Sequence, residues 1–99
     1  MVQINWTLQA KNDLKAIAEY ISKDSLQYAK FQVIKLKNRT KILKTQISSG
    51  RVVPEINQKN IRELISGSYR IIYKIVNENQ IDILTIHHSS RNLNKRKID

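Results

Sequence analysis

Glu55, Arg62, Arg70, His88 and Arg91 are the residues of this chain whose types and spacing suit chemistry on a phosphate. Arg62 in IRELI and Arg70 in YRIIY, with Lys74 close behind, are cations inside short apolar stretches, a costly placement unless each meets an anion. Metal-free RNA cleavage needs a base for the 2′-hydroxyl proton, an acid for the leaving 5′-oxygen, and cations on the pentacoordinate phosphate. Glu55 fits the base, His88 the acid, and Arg62 and Arg70 the cations. A structural account of the same residues stays open, because Glu55 and Glu63 could each neutralise an arginine.

Other chemistries lack their residues. The chain has no cysteine, and its two histidines, His87 and His88, are adjacent, so an extended strand sends them to opposite faces and no zinc ligand set can form. Gly50 and Gly67 stand alone, which leaves no glycine-rich phosphate loop, and no nucleophile elbow accompanies any serine. Neither a metal nor a cofactor is expected.

Ninety-nine residues suffice for a single domain with one modest core. Lys and Arg number 18 against 8 Asp and Glu, a net charge of +10, which favours an acidic protein or a polyanion as partner. No cysteine, no leader-like opening and no apolar run of about 18 residues point to a cytoplasmic protein without membrane contact.

The elements that must position these side chains follow from periodicity. Val2, Ile4 and Trp6 alternate with polar residues as in a half-buried strand, and Thr7 can cap a helix carrying Ala10, Leu14, Ile17, Ala18 and Ile21 at helical spacing. Lys11, Asp13, Lys15 and Glu19 fall on its other faces. Ser25 can cap a second helix, along which Leu26, Ala29, Val33, Leu36, Thr40, Leu43 and Ile47 form one seam. Only Lys23 and Asp24 separate the two, so an antiparallel hairpin is expected.

The second helix holds Lys30, Lys35, Lys37, Arg39, Lys41 and Lys44 and no acid, a basic rail along its outer surface. Residues 51–59 read as a loop. Ile61–Ile65, Tyr69–Val76 and Ile81–His87 read as strands of an antiparallel meander, joined by Ser66-Gly67-Ser68 and Asn77-Glu78-Asn79. In the middle strand Tyr69, Ile71, Tyr73 and Ile75 share one face and Arg70, Ile72, Lys74 and Val76 the other. The hairpin can cover one of these apolar faces, which makes the other a candidate for a cleft or a partner.

GRVVPE (50–55), IRELISGSYRIIYKI (61–75) and IDILTIHHSSRNL (81–93), with Trp6, Ala10, Asp13, Leu14, Ile17, Tyr20 and Ile21 in the first helix, resemble the RelE/ParE superfamily of type II toxin–antitoxin toxins over nearly the whole chain. The resemblance implies an α+β fold of order β-α-α-β-β-β, with a helical hairpin packed on an antiparallel sheet. It also implies a cognate, often acidic antitoxin that wraps the toxin. RelE-like members cut mRNA on the ribosome. Arg70 matches an arginine they place on phosphate, and Glu55 and His88 match the acid–base residues of one branch. Those nucleases usually add a C-terminal tyrosine, and NLNKRKID has none. HHSSRNL is similar to ParE-like chains, in which His88 and Arg91 are a recurrent pair and the target is DNA gyrase; Ile47 stands where many relatives have proline.

The reading that results is a toxin of the plasmid-stabilisation type, spanning residues 1–99 as one domain with a basic tail from about 91, acting on gyrase and neutralised by an antitoxin. The target surface would comprise Lys30, Lys37, Lys41 and Lys44 with Arg91, Lys95, Arg96 and Lys97. The alternatives are a ribosome-dependent mRNA endonuclease built on Glu55, Arg62, Arg70 and His88, and a degenerate, non-toxic binding module.

Overall fold

The computed structural model describes residues 1–90 and Leu93. Its elements are β1 (Gln3–Trp6), α1 (Leu8–Ser22), α2 (Leu26–Arg39), a 3-10 turn (Thr40–Lys44), β2 (Arg51–Val52), β3 (Ile61–Ser66), β4 (Tyr69–Asn77) and β5 (Gln80–His88). Both expected caps form: Thr7 Oγ1 accepts from Ala10 N at 3.2 Å, and Ser25 Oγ from Tyr28 N at 3.1 Å. No helix among the described residues is long and apolar enough to cross a membrane.

The five strands form one sheet in the order β1-β5-β4-β3-β2. Neighbours from β2 to β5 run antiparallel, and two-residue turns join β3 to β4 and β4 to β5; Gly67 occupies the first position of the β3–β4 turn with φ 58°, a sign glycine takes without strain. β1 runs parallel to β5, so the sheet is mixed where a purely antiparallel one was expected. The whole hairpin separates β1 from the meander, and a crossover of that length is what lets two strands lie parallel.

One face of the sheet packs on the hairpin. Ala10 and Leu14 from α1, Leu36 from α2 and Leu43 from the 3-10 turn meet Leu64, Ile71, Tyr73, Ile81, Ile83 and Ile86. The seam along the second helix is therefore real, but it is not one helix: Thr40 is buried, donates its hydroxyl to Lys37 O at 2.7 Å, and begins the 3-10 turn that carries Leu43 inward. Leu26, expected in that seam, is exposed. At the far end Tyr73 donates its buried hydroxyl to Ile47 O at 2.9 Å and accepts from Gly50 N at 3.0 Å. A Cβ on Gly50 would stand 2.5 Å from Glu63 O and 2.7 Å from that hydroxyl, so this close approach requires glycine.

The second face is not open. Residues 51–59 are more than a loop: Arg51–Val52 pairs with β3, and Val53 and Ile56 then fold over Ile72 and Leu84 together with Leu93 and Ile61. The chain itself thus covers the apolar surface that sequence alone offered to a partner. β5 carries the feature with the largest consequence for the site. Tyr73 pairs with Ile83 but Ile72 with Thr85, so Leu84 is an extra residue, a bulge that reverses which face each later side chain occupies.

Candidate functional site

Arg70 lies on the face covered by residues 53–56, nearly buried, between two carboxylates. Its Nε donates to Glu63 Oε1 at 2.5 Å, and its two terminal nitrogens donate to Glu55 Oε2 and Oε1 at 2.7 and 2.8 Å. Glu63, whose side chain is fully buried, accepts also from Arg51 Nε at 2.5 Å. Arg62 donates to Lys59 O at 3.0 Å and Gly50 O at 2.9 Å. Arg70 thus meets both acids, whereas Arg62 donates to backbone carbonyls. The Arg70 guanidinium is a strut tying Glu55 down across β4 and β3, and the fork geometry of arginine suits it to bridging both acids.

The hydrogen bonds from Arg70 are the main cause holding the Glu55 carboxyl down, from 4.5 to about 2, and the same contact raises Arg70 further above its ordinary range. A depressed carboxyl pKa stabilises the fold fully above the unfolded value and loses that contribution as pH falls through the folded one. Wild type should therefore exceed Glu55→Gln in denaturant midpoint by a constant margin above pH 4.5, and the margin should shrink between 4.5 and about 2. Denaturation curves of both proteins across that range check it; a margin indifferent to pH would mean that the carboxylate charge contributes nothing.

His88 does not join this cluster. The register sets Arg70 opposite His87, which is buried, and Tyr69 opposite His88. Strict alternation groups His87 with Ile83, whereas the Leu84 bulge moves His87 to the Arg70 face and turns His88 toward α1. There His88 packs edge-on to Tyr69, ring centroids 5.3 Å apart, accepts from Ser90 N at 3.2 Å through Nδ1, and has Ser90 Oγ 2.6 Å from that nitrogen. With Asp13, Ile17, Tyr20 and Ile86 these residues line a groove of about 490 Å3. Glu55 and His88 therefore stand on opposite faces, and the base and acid of the postulated cleavage are not brought together.

Asp13 was assigned to a polar face of the first helix, yet it points at the sheet. Its Oδ2 accepts from the Thr85 hydroxyl and from Ile86 N, at 3.1 Å from the latter, which docks α1 beside the bulge. Periodicity does not separate Asp13 from Lys11, Lys15 and Glu19; its place among the first-helix residues that carry the family resemblance was the signal that could have found it.

The four rail lysines assigned to the target surface, Lys30, Lys37, Lys41 and Lys44, divide between two grooves. Lys37, Lys41 and Lys44 join Lys11 and Lys15 of α1 around a groove of about 690 Å3, whose floor is Ile4, Trp6, Leu14, Ala18 and Val33. No acidic residue lines it. Lys30 borders a separate trough of about 400 Å3 with Glu19, Leu26, Ala29 and Ile34. The groove was legible in part, since Lys11, Leu14, Lys15 and Ala18 follow helical spacing; joining them to β1 and to the 3-10 turn required the fold. Arg91, Lys95, Arg96 and Lys97 lie outside the described residues.

A two-helix hairpin over one face of a five-stranded sheet is the layout that the resemblance to RelE/ParE-class toxins implies. The fold is similar to that of a solved chain from P. aeruginosa described as "Chromosomal ParDE TA system", with a TM-score of 0.73 at 24% identity, covering 89% of this chain and 96% of that one. The family model described as the ParE toxin of the type II toxin–antitoxin system, parDE, matches residues 4–93, and the chain belongs to that family. No curated protein matches it in sequence.

Proposed function

We propose that this ParE-family toxin inhibits DNA gyrase in the cytoplasm as a protein ligand, and that a cognate acidic antitoxin neutralises it. The observation that carries the choice of gyrase over mRNA cleavage is the separation of the site residues. Arg70 is committed to Glu55 and Glu63, and His88 faces α1 on the other side of the sheet. A base already paired to arginine and an acid beyond its reach do not make an in-line phosphoryl transfer.

The antitoxin seat is the groove over Ile4, Trp6, Leu14 and Val33, rimmed by Lys11, Lys15, Lys37, Lys41 and Lys44. An apolar floor supplies affinity, while a rim of one sign steers an acidic segment and selects against basic ones. Lysines in such positions also keep their stems on the apolar floor and their charges in water.

Purified protein is expected to block supercoiling of relaxed plasmid by gyrase, and RNA from expressing cells should show no new codon-linked 5′ ends. Supercoiling left untouched at saturating toxin would remove the gyrase reading. Ribosome-dependent cleavage abolished by Glu55→Gln or His88→Ala would replace it.

A further inference from the structure

The outer face of α2 is used by neither the core nor the lysine-rimmed groove. Tyr28 and Phe31 stand there 53% and 58% exposed, their rings 16° from parallel with centroids 6.1 Å apart. Lys35 and Arg39 continue the stripe at steps of four residues, a rise of about 6 Å each. Arg39 is anchored by donating from Nε to Ile65 O at 3.0 Å, and the Lys35 ammonium lies beside the β3–β4 turn, 3.8 Å from where a Cβ on Gly67 would stand. No acid occurs between Asp24 and Glu55, so nothing on this helix offsets those charges.

We propose that this face binds single-stranded nucleic acid, with Tyr28 and Phe31 stacking on bases and Lys35 and Arg39 meeting the phosphates. Exposed aromatic rings cost solvation and gain little alone, whereas unpaired bases offer flat partners of any sequence. The cations lie along the same stripe as the rings, in line with the course of a strand. A lipid surface would instead require the apolar and basic side chains to segregate to two faces. A second copy of the chain is disfavoured by the charge, +10 on each. Duplex DNA would satisfy the cations and leave the rings without bases. The surface is distinct from the antitoxin groove, and the inference stands whether or not gyrase is the target.

Fluorescence anisotropy of the full-length protein with a labelled oligothymidylate of about 15 nucleotides, and with the same strand in duplex form, tests this. Wild type should favour the single strand. Tyr28→Ala with Phe31→Ala should weaken that binding about tenfold or more while changing duplex binding less than about threefold. Lys35→Gln should weaken both and flatten the dependence on salt between about 50 and 200 mM. Both aromatic side chains are exposed, so the double variant should keep the wild-type melting temperature. Unchanged binding in the aromatic variant, or equal losses on single strand and duplex, would overturn the proposal. So would stronger binding to vesicles of phosphatidylglycerol and phosphatidylcholine than to the oligonucleotide.

Discussion

Arg70→Ala should lower the unfolding free energy by about 3–5 kcal/mol, the usual consequence of removing one partner of a buried ion pair. Glu63 has a fully buried side chain and accepts from Arg70 and Arg51; without Arg70 it keeps only an arginine whose own side chain is 64% exposed. Glu55 would be released at the same time, and with it a bidentate side-chain contact fastening residues 53–56 over Ile72 and Leu84. Urea denaturation of the variant measures the effect. Arg70→Lys should recover only part of it, because an ammonium does not present a planar fork to two carboxylates. The result separates the two accounts of this arginine. A phosphate-binding Arg70 would tolerate alanine with little loss of stability and with loss of activity; a loss below about 1 kcal/mol would refute the strut.

Charge reversal around the lysine-rimmed groove is expected to cost the most in function. Lys37→Glu, Lys41→Glu and Lys44→Glu together change the local charge from +3 to −3 in a region with no acid of its own. The acidic antitoxin proposed to sit there would then meet repulsion in place of attraction, and affinity should fall roughly a hundredfold or more, most of it in a slower and strongly salt-dependent association. Titration with the proposed cognate antitoxin measures the affinity, and co-expression reads out the loss of neutralisation. All three lysines are exposed, so the fold should persist. Were the triple variant neutralised as readily as wild type, the antitoxin would have to sit elsewhere. Trp6→Ala tests the floor of the same groove without changing charge: it should weaken binding at all salt concentrations alike.

The residues themselves show why some features could be read in advance. Thr7 and Ser25 announce helix starts because a cap acts on an amide three residues away. Leu14 and Leu36 turn inward because spacing along a helix decides which side a residue faces. Asn77-Glu78-Asn79 forces an antiparallel return, and Asn79 N donates to the Asn77 side chain at 2.8 Å in that turn. Each depends on neighbours within a few residues. The assignment of Tyr69, Ile71, Tyr73 and Ile75 to one face of their strand held for the same reason.

The candidate site fared differently. Glu55, Arg62, Arg70 and His88 were chosen for their chemistry, and their types were consistent with either catalysis or ion pairing. The ion pairing of Arg70 depends on the 51–59 segment, which brings Glu55 within 2.8 Å across a separation of fifteen residues. The face His88 occupies depends on one extra residue at Leu84, whose insertion carries no composition signal in ILTIHH yet moves both histidines to the faces opposite those that alternation assigns.

By itself, then, the sequence determined the helical hairpin, the three strands of the meander, the acid-free second helix and the family. All are encoded in short-range periodicity, capping and motif spacing. The tertiary structure alone decided that β1 lies parallel to β5, that Val53 and Ile56 close the second face, and that five lysines from two helices and a 3-10 turn ring one groove. It also decided that Arg70 and His88 never meet. Those outcomes rest on pairings across tens of residues, where burial and hydrogen-bond satisfaction over the whole sheet select one register and one bulge from several that the local pattern allows.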